Sequence, residues 1–133
     1  MPTLLLKVSP PPTSERSHAL ARALTDITAQ QLGKRREVTA VVIEHLPPSQ
    51  WWIGAEAVAE PTAYLEISIT EGTNTPAEKA AFIAAAFAEL QQQLAAPDAA
   101  LAPASYVVVR ELPAQDWGYG GVTQLARRQA LQP

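Results

Sequence analysis

Leu46-Pro47-Pro48-Ser49-Gln50-Trp51 and Leu112-Pro113-Ala114-Gln115-Asp116-Trp117 share the pattern Leu-Pro-x-x-x-Trp, and each runs into small residues, Gly54-Ala55 in one case and Gly120-Gly121 in the other. A second landmark repeats upstream, where Pro2-Thr3 and Pro61-Thr62 each open an apolar stretch. Agreement at both ends of two segments marks an internal repeat, which constrains architecture before any single element is assigned. The opening landmarks lie 61 − 2 = 59 residues apart and the closing ones 112 − 46 = 66, so the second copy holds seven more residues. The Ala- and Pro-rich stretch 95–103 is where they are expected.

Within each copy the apolar period switches from two to about 3.6 and back to two, the pattern of strand, helix, strand. Residues 3–8 form an apolar run, and the β-branched stretch 38–45 is its partner strand. Between them Pro10-Pro11-Pro12 breaks the strand, and Thr13 or Ser14 caps a helix with Leu20, Ala23, Leu24, Ile27 and Gln31 on one face, ended by Gly33. In the second copy Leu65, Ile67 and Ile69 alternate with Tyr64, Glu66 and Ser68. Thr75-Pro76 then opens a helix carrying Phe82, Ile83, Ala86, Phe87, Leu90 and Leu94, and Tyr106-Val107-Val108-Val109 closes the unit. Strands joined by a helix run parallel with a right-handed crossover. The expected fold is therefore α+β: one domain of two β-α-β units, about 2–58 and 61–121, with a short tail over 122–133. Its four-stranded sheet carries both helices on one face. Valines on both faces of 41–43 and 107–109 ask for a cover on the other side too, which predicts an oligomer with sheets packed together.

Composition narrows the functional classes. A formal charge of −3 gives no basic footprint for nucleic acid. The sequence holds no cysteine, which excludes disulfides, thiolate metal sites and cysteine nucleophiles. The apolar opening of the chain is too short for a signal-peptide core, and no run approaches membrane-spanning length, so a soluble, cytoplasmic protein is expected. His18 and His45 lack partners at metal-ligand or triad spacing, which reads as solvent exposure, and no metal site is legible.

Pro2 directly after Met1, the strand-helix-strand repeat, and the turn Trp117-Gly118-Tyr119-Gly120-Gly121 together resemble the tautomerase superfamily over nearly the whole chain. The sequence looks like two fused 4-oxalocrotonate tautomerase units. It is also similar to macrophage migration inhibitory factor in Leu24-Thr25 through Gly33-Lys34, in Glu60-Pro61 and at Tyr106. The resemblance implies a homotrimer with active sites at subunit boundaries, no cofactor, and Pro2 as catalytic base. Lys34 and Tyr106 align with pocket-lining groups of the inhibitory factor, implying a small enol or keto acid held by one cation and one phenol. An aromatic at the hairpin turn near the proline pocket points to Trp117 or Trp51. Arginines that bind carboxylates in 4-oxalocrotonate tautomerase are absent, their places taken by Pro12, Ala40, Thr73 and Tyr106, so a dicarboxylate is disfavoured. Thr70 and Thr73 stand where the related dehalogenases carry an arginine pair, which disfavours dehalogenation.

The chemistry is consistent with the residues. Enolisation needs a base beside the α-carbon and a cation or acid at the enolate oxygen. An α-amine has an ordinary pKa of about 7.7–8.0, so a free N-terminal proline is a base near neutral pH, and burial beside Lys34 lowers that value further. The role requires loss of Met1, because the prolyl nitrogen of a Met-Pro bond is an amide without basicity. Simpler readings stand beside these. Lys34-Arg35-Arg36 also reads as a helix-end cluster favoured by the macrodipole. Tyr106 reads equally as a residue filling the trimer interior, the tryptophans as packing anchors, and Arg110 as half of a surface ion pair. A fold-retaining scaffold without activity, or a hydratase or decarboxylase using Glu111 or Asp116 to activate water, are the competing functions.

Overall fold

β1 (Thr3–Ser9) buries every second side chain: Leu4, Leu6 and Val8 are shielded from solvent while Leu5 and Lys7 are exposed. These residues come from the computed structural model, which describes residues 1–131. The last two positions of the expected tail lie outside the described residues. Thr13 caps α1 (Ser14–Leu32) by accepting from the Arg16 amide at 3.1 Å, and Gly33 ends the helix in the left-handed region. A single 3-10 turn over Arg36–Val38 leads into β2 (Ala40–His45), which pairs parallel with β1. The two-residue strands β3 (Trp52–Ile53) and β4 (Glu56–Ala57) form a hairpin.

The same order recurs in the second half. β5 (Thr62–Thr70) buries Ala63, Leu65, Ile67 and Ile69 on one face. A capping box at Thr75 and Glu78, with Pro76 in the first turn, starts α2 (Pro76–Leu94). β6 (Tyr106–Leu112) pairs parallel with β5, and β7 (Gly118–Tyr119) and β8 (Val122–Thr123) make the second hairpin. α3 (Gln124–Ala130) follows directly, so the stretch read as a tail is partly helical. The repeat survives in the backbone hydrogen bonds. Gln50 donates to Pro47 as Asp116 donates to Pro113, and Val58 closes onto Trp51 as Gln124 closes onto Trp117, each bond 2.9 Å long and each pair offset by 66 residues.

The sheet order is β2-β1-β5-β6, parallel within each unit and antiparallel between units. Leu4, Leu6 and Val8 register against Ile67, Leu65 and Ala63, and α1 and α2 pack over this face and against each other. The inner helix faces differ from the expected ones in two places. α1 buries Thr28 and Leu32 in addition to Leu20 and Leu24, the Thr28 hydroxyl donating to the Leu24 carbonyl at 2.7 Å. On α2, Phe82, Ala86 and Leu90 are buried while Ile83 turns outward, because the helix offers the sheet a narrower stripe than its apolar content suggests.

The seven extra residues are also distributed differently. Helix starts are 76 − 14 = 62 residues apart and last-strand starts 106 − 40 = 66. Against the 59-residue offset of the first strands, three of the seven lie before α2 and four after it. The loop after α2 is tied down: Leu101 and Ala102 are buried, Ala102 donates to the Pro61 carbonyl, and the Ser105 hydroxyl accepts from the Ala63 amide.

The sheet's other face is open in the single chain. Val42 is 48% exposed and Leu5 39%, whereas Val41, Ile43, Val107 and Val109 pack on the core. The two hairpins differ at one position of their turns. Gly120 and Gly121 hold φ of 61° and 78°, while Gly54 and Ala55 hold 61° and 64°. A Cβ in the left-handed region costs about 1–2 kcal/mol, partly offset by the entropy a glycine loses on folding. Ala55→Gly is expected to raise stability by roughly 0.5–1 kcal/mol, seen as a higher urea midpoint at unchanged m-value, and Leu65→Ala to lower it by about 2–5 kcal/mol.

Candidate active site

The antiparallel register of β1 on β5 pairs Thr3 with Ser68 and so carries Pro2 to the end of β5. Pro2 is buried, and its carbonyl accepts from the Ala40 amide at 3.2 Å, which pins it to the start of β2. With α1 stopped at Gly33, Lys34 leaves the helix at the same end of the sheet. Its ammonium donates to the Thr73 hydroxyl at 3.0 Å, and that hydroxyl donates to the Thr70 carbonyl at 2.6 Å. The Trp117 indole N–H donates to the Thr70 hydroxyl at 3.2 Å. Asn74 donates to the Leu32 carbonyl at 2.9 Å, joining the end of α1 to the turn after β5.

The electrostatics of this end are cationic. The Met1 α-amine is held below its ordinary 8.0, first by burial and then by the charges of Lys34 and Arg35. Lys34 is itself lowered from 10.5, chiefly by burial, with Glu78 opposing that shift and Arg128 of α3 adding to it. An amine in this environment favours its neutral form, as a base must. α3 is anchored there by Arg127, which donates to the Tyr119 carbonyl at 2.9 Å and lies 3.9 Å from the centre of the Tyr119 ring. Gly118 sits where the hairpin leaves no room for a side chain, a Cβ there falling 2.1 Å from the Val122 carbonyl oxygen.

Of the five residues singled out in the sequence, Pro2, Lys34 and Trp117 come together at this end. Tyr106 and Trp51 do not. Tyr106 registers against Tyr64, which in turn registers against Lys7, five residues along β1 from Pro2 or roughly 17 Å at strand rise. Tyr106 is 61% exposed on the open sheet face. Trp51 lines a groove of about 400 Å³ on that face with Leu5, Lys7, Leu46, Gln50 and Tyr64. Arg110 pairs with Glu66 at 3.5 Å, the surface ion pair expected of it. His18 and His45 are exposed, His45 lying 3.1 Å from the Ser17 hydroxyl. Among the described residues no group of three or more His, Asp or Glu could hold a metal, and no helix is long and apolar enough to cross a membrane.

Thr70, Thr73, Arg35 and Arg128 carry no motif and escaped the sequence reading as contributors. The two threonines entered it only as places where relatives have arginine. Glu111, weighed as a water-activating group, is engaged elsewhere: its carboxylate is paired with Lys79 and accepts from the Gly72 amide at 3.1 Å. Those two donors hold it below the ordinary 4.5. A carboxylate lowered in the folded state stabilises the fold above its unfolded pKa, and that contribution is lost as pH falls through the folded value. Glu111→Gln is expected to lower the melting temperature at neutral pH and to flatten the loss of stability on acidification, measured by thermal melts taken down through the carboxylate range.

The fold and the proline-headed first strand define a fused, two-unit β-α-β protein. Residues 2–60 match the family model described as tautomerase enzyme. Similar solved structures include a wild-type fused 4-OT forming an asymmetric trimer, with 27% identity over 94% of this chain and 98% of that one at a TM-score of 0.81. A native fused 4-OT is 26% identical over 93% and 97% with a TM-score of 0.79. Macrophage migration inhibitory factor of Toxoplasma gondii is 17% identical over 91% and 98% at a TM-score of 0.74, a likeness of fold. No curated protein matches this sequence. Residues 2–60 are thus similar to the tautomerase family, and nearly the whole chain shares the fold of the fused 4-OT structures.

Proposed function

We propose that this protein is a cofactor-independent keto-enol tautomerase acting on a small enol or keto acid, with Pro2 as general base once Met1 is removed. The observation that carries the reading is the convergence of a buried Pro2 with Lys34 and Trp117 at one end of the sheet, where burial and nearby cations lower the pKa of the Met1 amine one residue ahead of Pro2. In the enol-to-keto direction the Pro2 nitrogen takes the enol hydroxyl proton. The C=O bond forms as the C=C bond opens, and the prolyl ammonium returns a proton to carbon. The Lys34 ammonium steadies the charge on the substrate oxygens.

The reading includes a homotrimer. Tyr106 and Trp51 lie far from Pro2 in their own subunit, so they join a pocket by being presented to the Pro2 of a neighbour. The exposed apolar side chains of the open face and the first hairpin, with Trp52 59% exposed, support a face that another copy covers. The 4-OT relatives named as trimers support the same assembly.

Intact mass, sedimentation and kinetics with a phenylenolpyruvate-type substrate test the reading. The mature protein is expected to lack Met1 and to sediment as a trimer, and Pro2→Ala is expected to cost roughly 100- to 10,000-fold in kcat/KM. Unchanged turnover by Pro2→Ala in protein lacking Met1 would sink it. Because the amine must be neutral to act, kcat/KM is expected to fall on the acid side, with a midpoint below that of an unburied prolyl amine. Lys34→Ala removes a neighbouring positive charge and is expected to move that midpoint upward.

A further inference from the structure

Lys34 is held by a neutral partner. A lysine ammonium sits on a flexible stem that carries about 2 kcal/mol of rotamer entropy, so a site that uses it needs something to fix it. An aspartate or glutamate would do so but would also neutralise the charge. Here the contact is the Thr73 hydroxyl, whose single proton goes to the Thr70 carbonyl at 2.6 Å, leaving its lone pairs to accept from Lys34 at 3.0 Å. The nearby acid, Glu78, is committed to the α2 cap: its carboxylate accepts from the Thr75 amide at 2.8 Å and from Asn74 at 3.5 Å. The Lys34 ammonium therefore has one donor occupied by a neutral acceptor and keeps two donors with its charge for an anionic oxygen. Thr70 is the common anchor, its carbonyl taking Thr73 and its hydroxyl taking Trp117.

We propose that Thr73 is the positioning residue of this site: through Thr70 it aims the Lys34 ammonium at the substrate oxygen and sets its distance from the N-terminal amine without quenching its charge. The inference rests on the role given above to Lys34. It does not require Thr73 to touch substrate.

The test compares Thr73→Val, which keeps the shape and removes the acceptor, with Thr73→Ser, Lys34→Ala and the Lys34→Ala/Thr73→Val double variant, in the mature protein with the same enol substrate. Thr73→Val is expected to lower kcat/KM about tenfold, in line with one hydrogen bond to a charged group. Its acid-side midpoint is expected to move upward toward that of Lys34→Ala. Thr73→Ser is expected to stay within about twofold of the parent, and the double variant to be no worse than Lys34→Ala alone, since coupled residues are not additive. Thr73→Val with parental kinetics while Lys34→Ala is impaired overturns the inference alone. Losses that multiply in the double variant, or a serine variant as poor as valine, overturn it too. Lys34→Ala with parental kinetics removes the role of Lys34 itself, and the inference falls with it.

Discussion

The antiparallel pairing of β1 with β5 is the constraint on which the rest of this structure depends. Each β-α-β unit has only one helix and two strands, too little to bury its own apolar sheet face. Setting Leu4, Leu6 and Val8 against Ile67, Leu65 and Ala63 merges two half-cores into one beneath α1 and α2. The same register brings the first residues of the chain to the last residues of β5. Whatever chemistry the N-terminus performs is thereby placed beside Thr70, Thr73 and the turn that follows.

Near-symmetry of the two halves makes their differences informative. Both carry a Pro-Thr start, a capped 19-residue helix, and a hairpin closed at the same relative position. Only one proline can become a terminal amine. Pro61 stays internal, and its carbonyl is used to dock the loop after α2. The second hairpin is reinforced by α3 and by Arg127 on Tyr119, whereas the first ends in exposed Trp52 and Ile53. The half that lacks a free terminus supplies the threonines and the aromatic wall.

The electrostatic character of the site follows from what its acids do elsewhere. Glu111 is paired with Lys79, and Glu78 serves the α2 cap and makes no hydrogen bond to Lys34, so it offsets the Lys34 charge only through space. Burial and nearby positive charge act in the same direction on the Met1 amine, lowering its pKa. A neutral hydroxyl is the group best suited to hold a lysine under those conditions.

Periodicity and repeats in the sequence determined the strand-helix-strand units, the caps at Thr13 and Thr75, the stop at Gly33 and the buried faces of β1 and β5, because each depends on residues a few positions apart. They also singled out Pro2, because the role proposed for it depends on its place in the chain. The grouping of Lys34 with Thr73, of Thr70 with Trp117, and of Arg128 with Lys34 was decided by tertiary structure alone. Those partners are 39, 47 and more residues distant, and single hydroxyls and surface cations leave no periodic trace. The separation of Tyr106 and Trp51 from Pro2 was likewise invisible in one dimension, since it follows from strand order and register, which put them at the far end of the same sheet.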